Sequence, residues 1–203
     1  MNCSKQGFVK EFNVSRETLE KLVTYEALLK KWQASVNLIS PNTVDDIWHR
    51  HFYDSAQLLP YIKNNDNSIV DMGAGAGFPG LVLSCLGCQN VTLIESDTKK
   101  CLFLKEVVRQ LNLDAMIENR RIEACHLTSD IVTARAFAPL DRLLSFYVEK
   151  AHEKSKGLFL KGKTYQSEIE EARKNWSFDY DVFKSVTSEG GVILEIKNVS
   201  RET

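Results

Sequence analysis

Residues 71 to 80 read Asp71-Met72-Gly73-Ala74-Gly75-Ala76-Gly77-Phe78-Pro79-Gly80, and an acid, Glu95, closes the next apolar run, Val91-Thr92-Leu93-Ile94. Glycine has no Cβ, so a Gly-x-Gly-x-Gly turn lets the backbone bend tightly and approach a ligand closely. Gly73 and Gly75 are the positions where that approach is expected. An acid at the carboxyl end of the following strand is placed to accept hydrogen bonds from ribose hydroxyls.

The spacing narrows the ligand. In the dinucleotide fingerprint Gly-x-Gly-x-x-Gly the third glycine packs a helix beneath a pyrophosphate. Here the third glycine, Gly77, falls one position early, Phe78-Pro79 follows, and Asp71 stands two residues before Gly73. A sulfonium cation with an amino acid end needs close backbone and a nearby carboxylate rather than a phosphate cradle. The pattern therefore favours S-adenosylmethionine, with a tight structural turn as the plainer alternative.

These residues need a sheet to hold them. Strands are expected near 68–72, 91–95, 115–119, 130–134 and 157–160, alternating with helices. The clearest helix spans 97–111, where Leu104, Val107, Val108 and Leu111 form an i, i+3, i+4, i+7 stripe. Such alternation predicts a parallel sheet with right-handed crossovers. The end differs: Tyr180 to Val186 and Val192 to Lys197 are strand-like runs joined by Thr187-Ser188-Glu189-Gly190-Gly191, which suits an antiparallel hairpin. Upstream, 15–36 reads as a helix capped by Ser15, a second helix is expected over roughly 43–62, and Asn64-Asn65-Asp66-Asn67 reads as a polar turn. The expected fold is α/β and Rossmann-like: a mostly parallel seven-stranded sheet closing in a C-terminal antiparallel hairpin. A helical extension (1–64) would pack on the core (65–203) as one compact domain.

Composition excludes several classes. Hydrophobic content of 43% and charged content of 26% over 203 residues are those of an ordinary soluble domain. The first dozen residues lack the apolar core of a signal peptide, and no run is long enough to span a membrane. Five cysteines (3, 85, 88, 101, 125) follow no disulfide framework, and Cys85-x-x-Cys88 lacks a second half for a zinc site, so buried reduced thiols are expected. A cytoplasmic, monomeric protein without structural metal is the resulting expectation. The net charge of −1 carries no overall nucleic-acid signal, yet basic residues cluster locally at Lys99-Lys100, Arg120-Arg121, Arg135 with Arg142, and Lys161 with Lys163. Lys100, Lys161 and Lys163 fall at or beyond expected strand ends and are candidate phosphate contacts. Solvated surface charge is the alternative.

Several segments together resemble one family. They are Trp32 with Asn37-Leu38-Ile39-Ser40; Arg50-His51-Phe52-Tyr53-Asp54-Ser55; Asp71 to Gly80; Glu95-Ser96-x-x-Lys99-Lys100-x-x-Phe103-Leu104; Arg121-Ile122-Glu123; Arg135-Ala136-Phe137-Ala138-x-Leu140; and Leu160-Lys161-Gly162. In this order and spacing the chain resembles the bacterial 16S ribosomal RNA guanine-N7 methyltransferases of the RsmG/GidB family. The resemblance covers about residues 30 to 163. It implies S-adenosylmethionine contacts at Gly73, Phe78, Ile122, Glu123 and Arg135, with Glu95 on the ribose. It also implies a substrate guanine in the 530 loop of 16S ribosomal RNA, free or in the small subunit or an assembly intermediate. His51 is read as a helix histidine packing the extension onto the core in preference to a catalytic group.

Three departures stand out: Ala74 where the family often has Ser or Thr, a short 124–129 segment, and Gly190-Gly191 where the family tends to carry Arg and His. Guanine N7 has a lone pair at neutral pH, so no chemical base is assigned, and an aromatic such as Phe78 or Phe137 is expected near the base. Asp71 is expected near the cationic centre. A methyltransferase for another RNA or small molecule, a nicotinamide oxidoreductase, and a non-catalytic RNA-binding module on the same fold are the competing readings.

Overall fold

The computed structural model describes residues 4–64 and 67–202, so Cys3 and the centre of the turn expected at 64–67 lie outside the described residues. Seven strands, β1 (Ile69–Met72), β2 (Val91–Glu95), β3 (Ala115–Asn119), β4 (Ser129–Arg135), β5 (Ala151–Lys161), β6 (Trp176–Lys184) and β7 (Val192–Arg201), form one sheet in the order β3-β2-β1-β4-β5-β7-β6. The first five are parallel, and β7 runs antiparallel to both β5 and β6. This is the expected parallel sheet with its closing hairpin. Every residue of β1 and β2 is buried, which is why both read as continuous apolar runs rather than alternations.

The register positions the site. Met72 pairs with Ile94 on one side and Ala134 on the other, so the loop after β1, Glu95 and Arg135 all leave the same edge of the sheet. The strand order reverses at β1, and in doubly wound sheets that reversal opens a crevice at the carboxyl edge.

Helices cover both faces. α1 (Lys5–Glu11) and α2 (Arg16–Gln33) precede the sheet, and Ser15 caps α2 by accepting from the Thr18 amide at 3.1 Å. α4 (Gly80–Cys85) and α5 (Thr98–Leu111) lie on the same side, with Asp97 capping α5 through the Lys99 and Lys100 amides. One apolar cluster joins Phe8, Leu22, Tyr25 and Phe52 from the N-terminal segment to Leu81, Phe103, Leu104 and Val107. A second, on the opposite face, packs α6 (Leu140–Lys150) and α7 (Tyr165–Ala172) against Met72, Val132 and Phe159. Cys85, Cys88, Cys101 and Cys125 are buried and unpaired, and burial pushes the Cys85 thiol up to about 12.

Three expectations need correction. The single helix expected over 43–62 is a chain of short turns: a 3₁₀ turn (Pro41–Asp46), a π turn (Trp48–Tyr53), α3 (Asp54–Ala56) and a second 3₁₀ turn (Leu59–Tyr61). Within the π turn His51, Phe52 and Tyr53 are buried in succession. Pro60, lacking an amide proton, prevents an α-helix from running through. Strand β5 begins at Ala151 rather than near 157, because its exposed polar start (His152, Glu153, Lys154) carries no apolar signal. Strand β6 begins at Trp176, where Trp176 and Phe178 alternate with polar residues.

Tyr25 ties the extension to the loop after β1. Its ring lies among Phe52, Phe78 and Phe103, with centroids 5.4, 5.6 and 6.3 Å away, and its hydroxyl donates to the Ala76 carbonyl. Tyr25→Phe removes that donor from a buried acceptor and should destabilise the fold by about 1–3 kcal/mol. Urea unfolding should show a lower midpoint at unchanged slope. An unaltered midpoint would mean the hydroxyl contributes nothing to holding the loop.

Candidate functional site

Chain direction after β1 is set by Asp71, which is fully buried. Its Oδ2 accepts from the Gly80 amide at 2.9 Å and its Oδ1 from the Thr133 hydroxyl at 2.9 Å. Burial pushes this carboxyl up to about 7, against the lowering effect of the two hydrogen bonds. Asp71 therefore stands behind the loop and does not line the cavity in front of it, which corrects the expectation that it faces a cationic ligand.

The loop itself turns through left-handed backbone. At Gly75 (φ 57°) an added Cβ would meet only the Gly73 carbonyl, at 3.9 Å, so that side is open to the cavity. At Gly73 (φ 66°) a Cβ would strike the Phe137 ring at 2.1 Å. Glu95 braces the same loop: its Oε2 accepts from the Gly75 amide at 2.9 Å and its Oε1 from the Asp97 amide at 2.8 Å. A carboxylate has about four lone-pair sites, so both oxygens keep acceptor capacity toward the cavity they line.

That cavity has a volume of about 480 Å³, within the usual range for small-molecule sites. Gly73, Gly75, Phe78, Glu95, Ile122, Glu123 and Arg135 all line it, and Lys100 stands on its wall as well. Ile122 and Glu123 reach it from the short 3₁₀ turn Ile122–Ala124 that follows β3. Across the opening, Arg142 lies 3.7 Å from Glu123, a pairing between distant segments that the sequence did not signal. Among the described residues, no three His, Cys, Asp or Glu side chains converge as metal ligands would.

Arg135, at the end of β4, is held from several directions. It pairs with Asp54 at 3.1 Å, donates to the Arg50 carbonyl at 3.1 Å, and contacts His51 Nδ1 at 2.9 Å. Its guanidinium also sits 4.9 Å from the centre of the Phe78 ring. An arginine only donates, so Nδ1 of His51 accepts, and Nε2 carries the proton that it donates to Thr43 Oγ1 at 2.9 Å. The imidazole stacks on Phe78 at 4.9 Å and 20°. Phe78 thus lies between His51 and Tyr25 and is almost wholly buried, leaving Phe137 as the aromatic with an open face.

Asp54 extends the network to the hairpin. Its Oδ1 accepts from Thr187 Oγ1 at 2.5 Å and from Gln57 Nε2 at 2.9 Å, while Gln57 Oε1 accepts the Val186 amide at 3.0 Å. The motif containing His51 and Asp54 is visible in the sequence, but Asp54, Gln57 and Thr187 drew no role there, because their partners lie 80 to 130 residues away.

The three lysines separate. Lys100 lines the cavity and Lys163 is exposed, its stem against the hairpin at Gly190. Lys161 is not a surface cation: its Nζ donates to the Ala138 carbonyl at 2.8 Å and to Glu168 at 2.6 Å, and its side chain is only 7% exposed. The expectation of a phosphate contact there is corrected, since the ammonium is already enclosed between an acid and a carbonyl.

Burial, with Arg135 and Arg50 adding to it, lowers the His51 pKa from 6.5 to about 3. The unfolded chain then binds a proton between those values that the folded chain does not, so His51 contributes stability above pH 6.5 that is lost as pH falls toward 3. Nitrogen-15 shifts at pH 5 should show a neutral Nε2–H imidazole, and a titration near 6.5 would contradict the packing described.

A family profile described as rRNA small subunit methyltransferase G matches residues 18–196. The ribosomal RNA small subunit methyltransferase G of Paramagnetospirillum magneticum is 48% identical over 189 residues, covering 93% of this chain and 92% of that protein. The protein of the same name from Rickettsia prowazekii is 45% identical over 188 residues, covering 93% and 98%. Among solved structures, magnesium protoporphyrin IX methyltransferase from Synechocystis with bound S-adenosylmethionine superposes with a TM-score of 0.59 at 11% identity, covering 86% of this chain and 97% of that one, a likeness of fold. The match along nearly the whole chain and the geometry of the glycine loop lead to one conclusion: this chain belongs to the rRNA small subunit methyltransferase G (GidB) family.

Proposed function

We propose that this chain transfers a methyl group from S-adenosylmethionine to N7 of a guanine in the 530 loop of 16S ribosomal RNA, working as a cytoplasmic monomer on the small subunit or its assembly intermediates. The observation that carries the cofactor side is the Gly75–Glu95 contact at 2.9 Å on an open, Cβ-free face of the crevice. The residues fit the group: a cavity of about 480 Å³, an acid with spare acceptor sites, and a glycine loop for close approach.

S-adenosylmethionine, when bound, supplies an electrophilic methyl on a cationic sulfur. Gly75 would admit it on its open side, with Gly73 lining the pocket beside Phe137; Glu95 would accept from the ribose hydroxyls, Ile122 and Glu123 would flank the adenine, and Arg135, with the edge of Phe78, would form the far wall. Guanine N7 attacks with its own lone pair, so the protein needs no base. Its contribution is orientation and exclusion of water, for which about 7–11 kcal/mol is the ceiling. Phe137, which lines the cofactor cavity, offers an exposed aromatic face to a flanking nucleotide of a single-stranded loop. Lys100 and Lys163 remain the candidate phosphate contacts, each worth about 0.7–0.9 in the log–log salt slope of RNA binding.

Incubation with labelled cofactor and undermodified small subunits, followed by mapping of the methylated nucleotide, tests the activity. Label at a position other than a guanine N7 would sink the proposal. Glu95→Ala should weaken cofactor binding by about 1–3 kcal/mol. Calorimetry giving wild-type affinity in the folded variant would remove Glu95 from the site. Neutralising Lys100 and Lys163 should flatten the salt dependence of RNA binding; cofactor affinity should stay unchanged for Lys163, while a loss for Lys100 would tie it to the cofactor whose cavity it lines. An unaltered slope would make both ordinary surface charges.

A further inference from the structure

A second cavity, of about 440 Å³, lies beside the cofactor cavity at the same edge of the sheet. Its walls come from three parts of the chain that meet only here: the N-terminal turns (Thr43, His51, Asp54), the ends of β4 and β5, and the β6–β7 loop (Thr187). Leu38, Arg135 and Ala136 line both cavities, so the two adjoin along these residues. Ala136 holds a left-handed backbone (φ 50°) there, a conformation an alanine keeps only when its surroundings impose it.

We infer that this second cavity is the acceptor pocket that receives the target guanine, with Asp54 and Arg135 as its specificity-determining pair. The inference rests on the methyltransferase reading above. A transfer between two bound partners needs the attacking atom about 3–3.5 Å from the methyl carbon, so donor and acceptor cavities must adjoin with no side chain standing between the reacting atoms, and these adjoin along Leu38, Arg135 and Ala136. A guanine with N7 at that boundary carries O6 on the same edge and its N1–H and N2 amino donors just beyond it. Arg135 supplies a donor matching O6. Asp54, the only carboxylate among the described residues lining the cavity, lies 3.1 Å from Arg135, and its Oδ2 keeps one acceptor site, which matches the N1 proton. Adenine in the same pose presents an amino donor to the arginine and no N1 proton to the acid, so the pair discriminates against it.

Asp54 is held for such a contact. Thr187, Gln57 and Arg135 fix its orientation, and Arg135 balances its charge.

The test uses the full chain with undermodified small subunits and measures cofactor Kd and methyl-transfer kcat/KM separately. Asp54→Asn should lower kcat/KM by roughly tenfold to a hundredfold, the discrimination expected of one lost base contact, a larger loss than the weakening of cofactor Kd that an unbalanced Arg135 brings. Ser188 is exposed and lines this cavity but not the cofactor cavity, so Ser188→Trp fills the pocket without disturbing the Asp54 network. It should reduce transfer in the same way. Wild-type transfer by Ser188→Trp, or a loss in Asp54→Asn accounted for entirely by weaker cofactor binding, would overturn the inference while leaving the methyltransferase reading intact. Failure of the wild-type protein to modify a guanine N7 would overturn both.

Discussion

The Asp71 carboxylate, with no exposed surface, accepts one hydrogen bond from the first amide of α4 and another from Thr133 on β4. A buried acid without partners is costly, and here the partners are what the crevice is made of. Through them the end of β1, the neighbouring strand and the start of the next helix are locked in one geometry. The loop between Gly73 and Pro79 is therefore fixed at both ends before any ligand contacts it. Helices α4 and α5 leave toward one face and α6 toward the other, which keeps the crevice open where the strand order reverses.

From that fixed loop, order spreads outward through side chains rather than backbone. Tyr25 reaches it from α2, Glu95 from β2, and Phe78 carries the contact on to His51 and Arg135. Arg135 then connects to Asp54, and Asp54 to the hairpin at Thr187. The N-terminal turns and the C-terminal hairpin are thus joined across the edge of the sheet by charged and neutral hydrogen bonds, and the second cavity lies between them.

Local signals carried much of this into the sequence. Gly-x-Gly-x-Gly between two apolar runs, with an acid closing the second, is short-range information, and the strand, loop and Glu95 lie where that pattern requires. The caps at Ser15 and Asp97 are of the same kind. What escaped was non-local. A lysine after a strand reads as a surface charge whether or not an acid such as Glu168 folds over it, and Lys161 proves to be enclosed. The 43–62 segment read as one helix, yet it breaks into short 3₁₀, π and α turns, the last of them containing Pro60. Asp71 could be read as an acid near a ligand, but burial on both faces of β1 turned it inward.

Charge placement gives the arrangement its chemical sense. On the proposed function the cofactor and the methylated base are both cations, so an uncompensated arginine at the boundary between them would raise the energy of each. Arg135 is compensated by Asp54 at 3.1 Å, and its guanidinium lies against the negative face of the Phe78 ring. The third partner, His51, is kept neutral by the same burial and by the arginines beside it, so it accepts a hydrogen bond without adding charge. The boundary between the two cavities thereby offers directed donors with little net positive charge. Exposed cations such as Lys163 and Arg121 lie outside it, where phosphates would meet them in solvent.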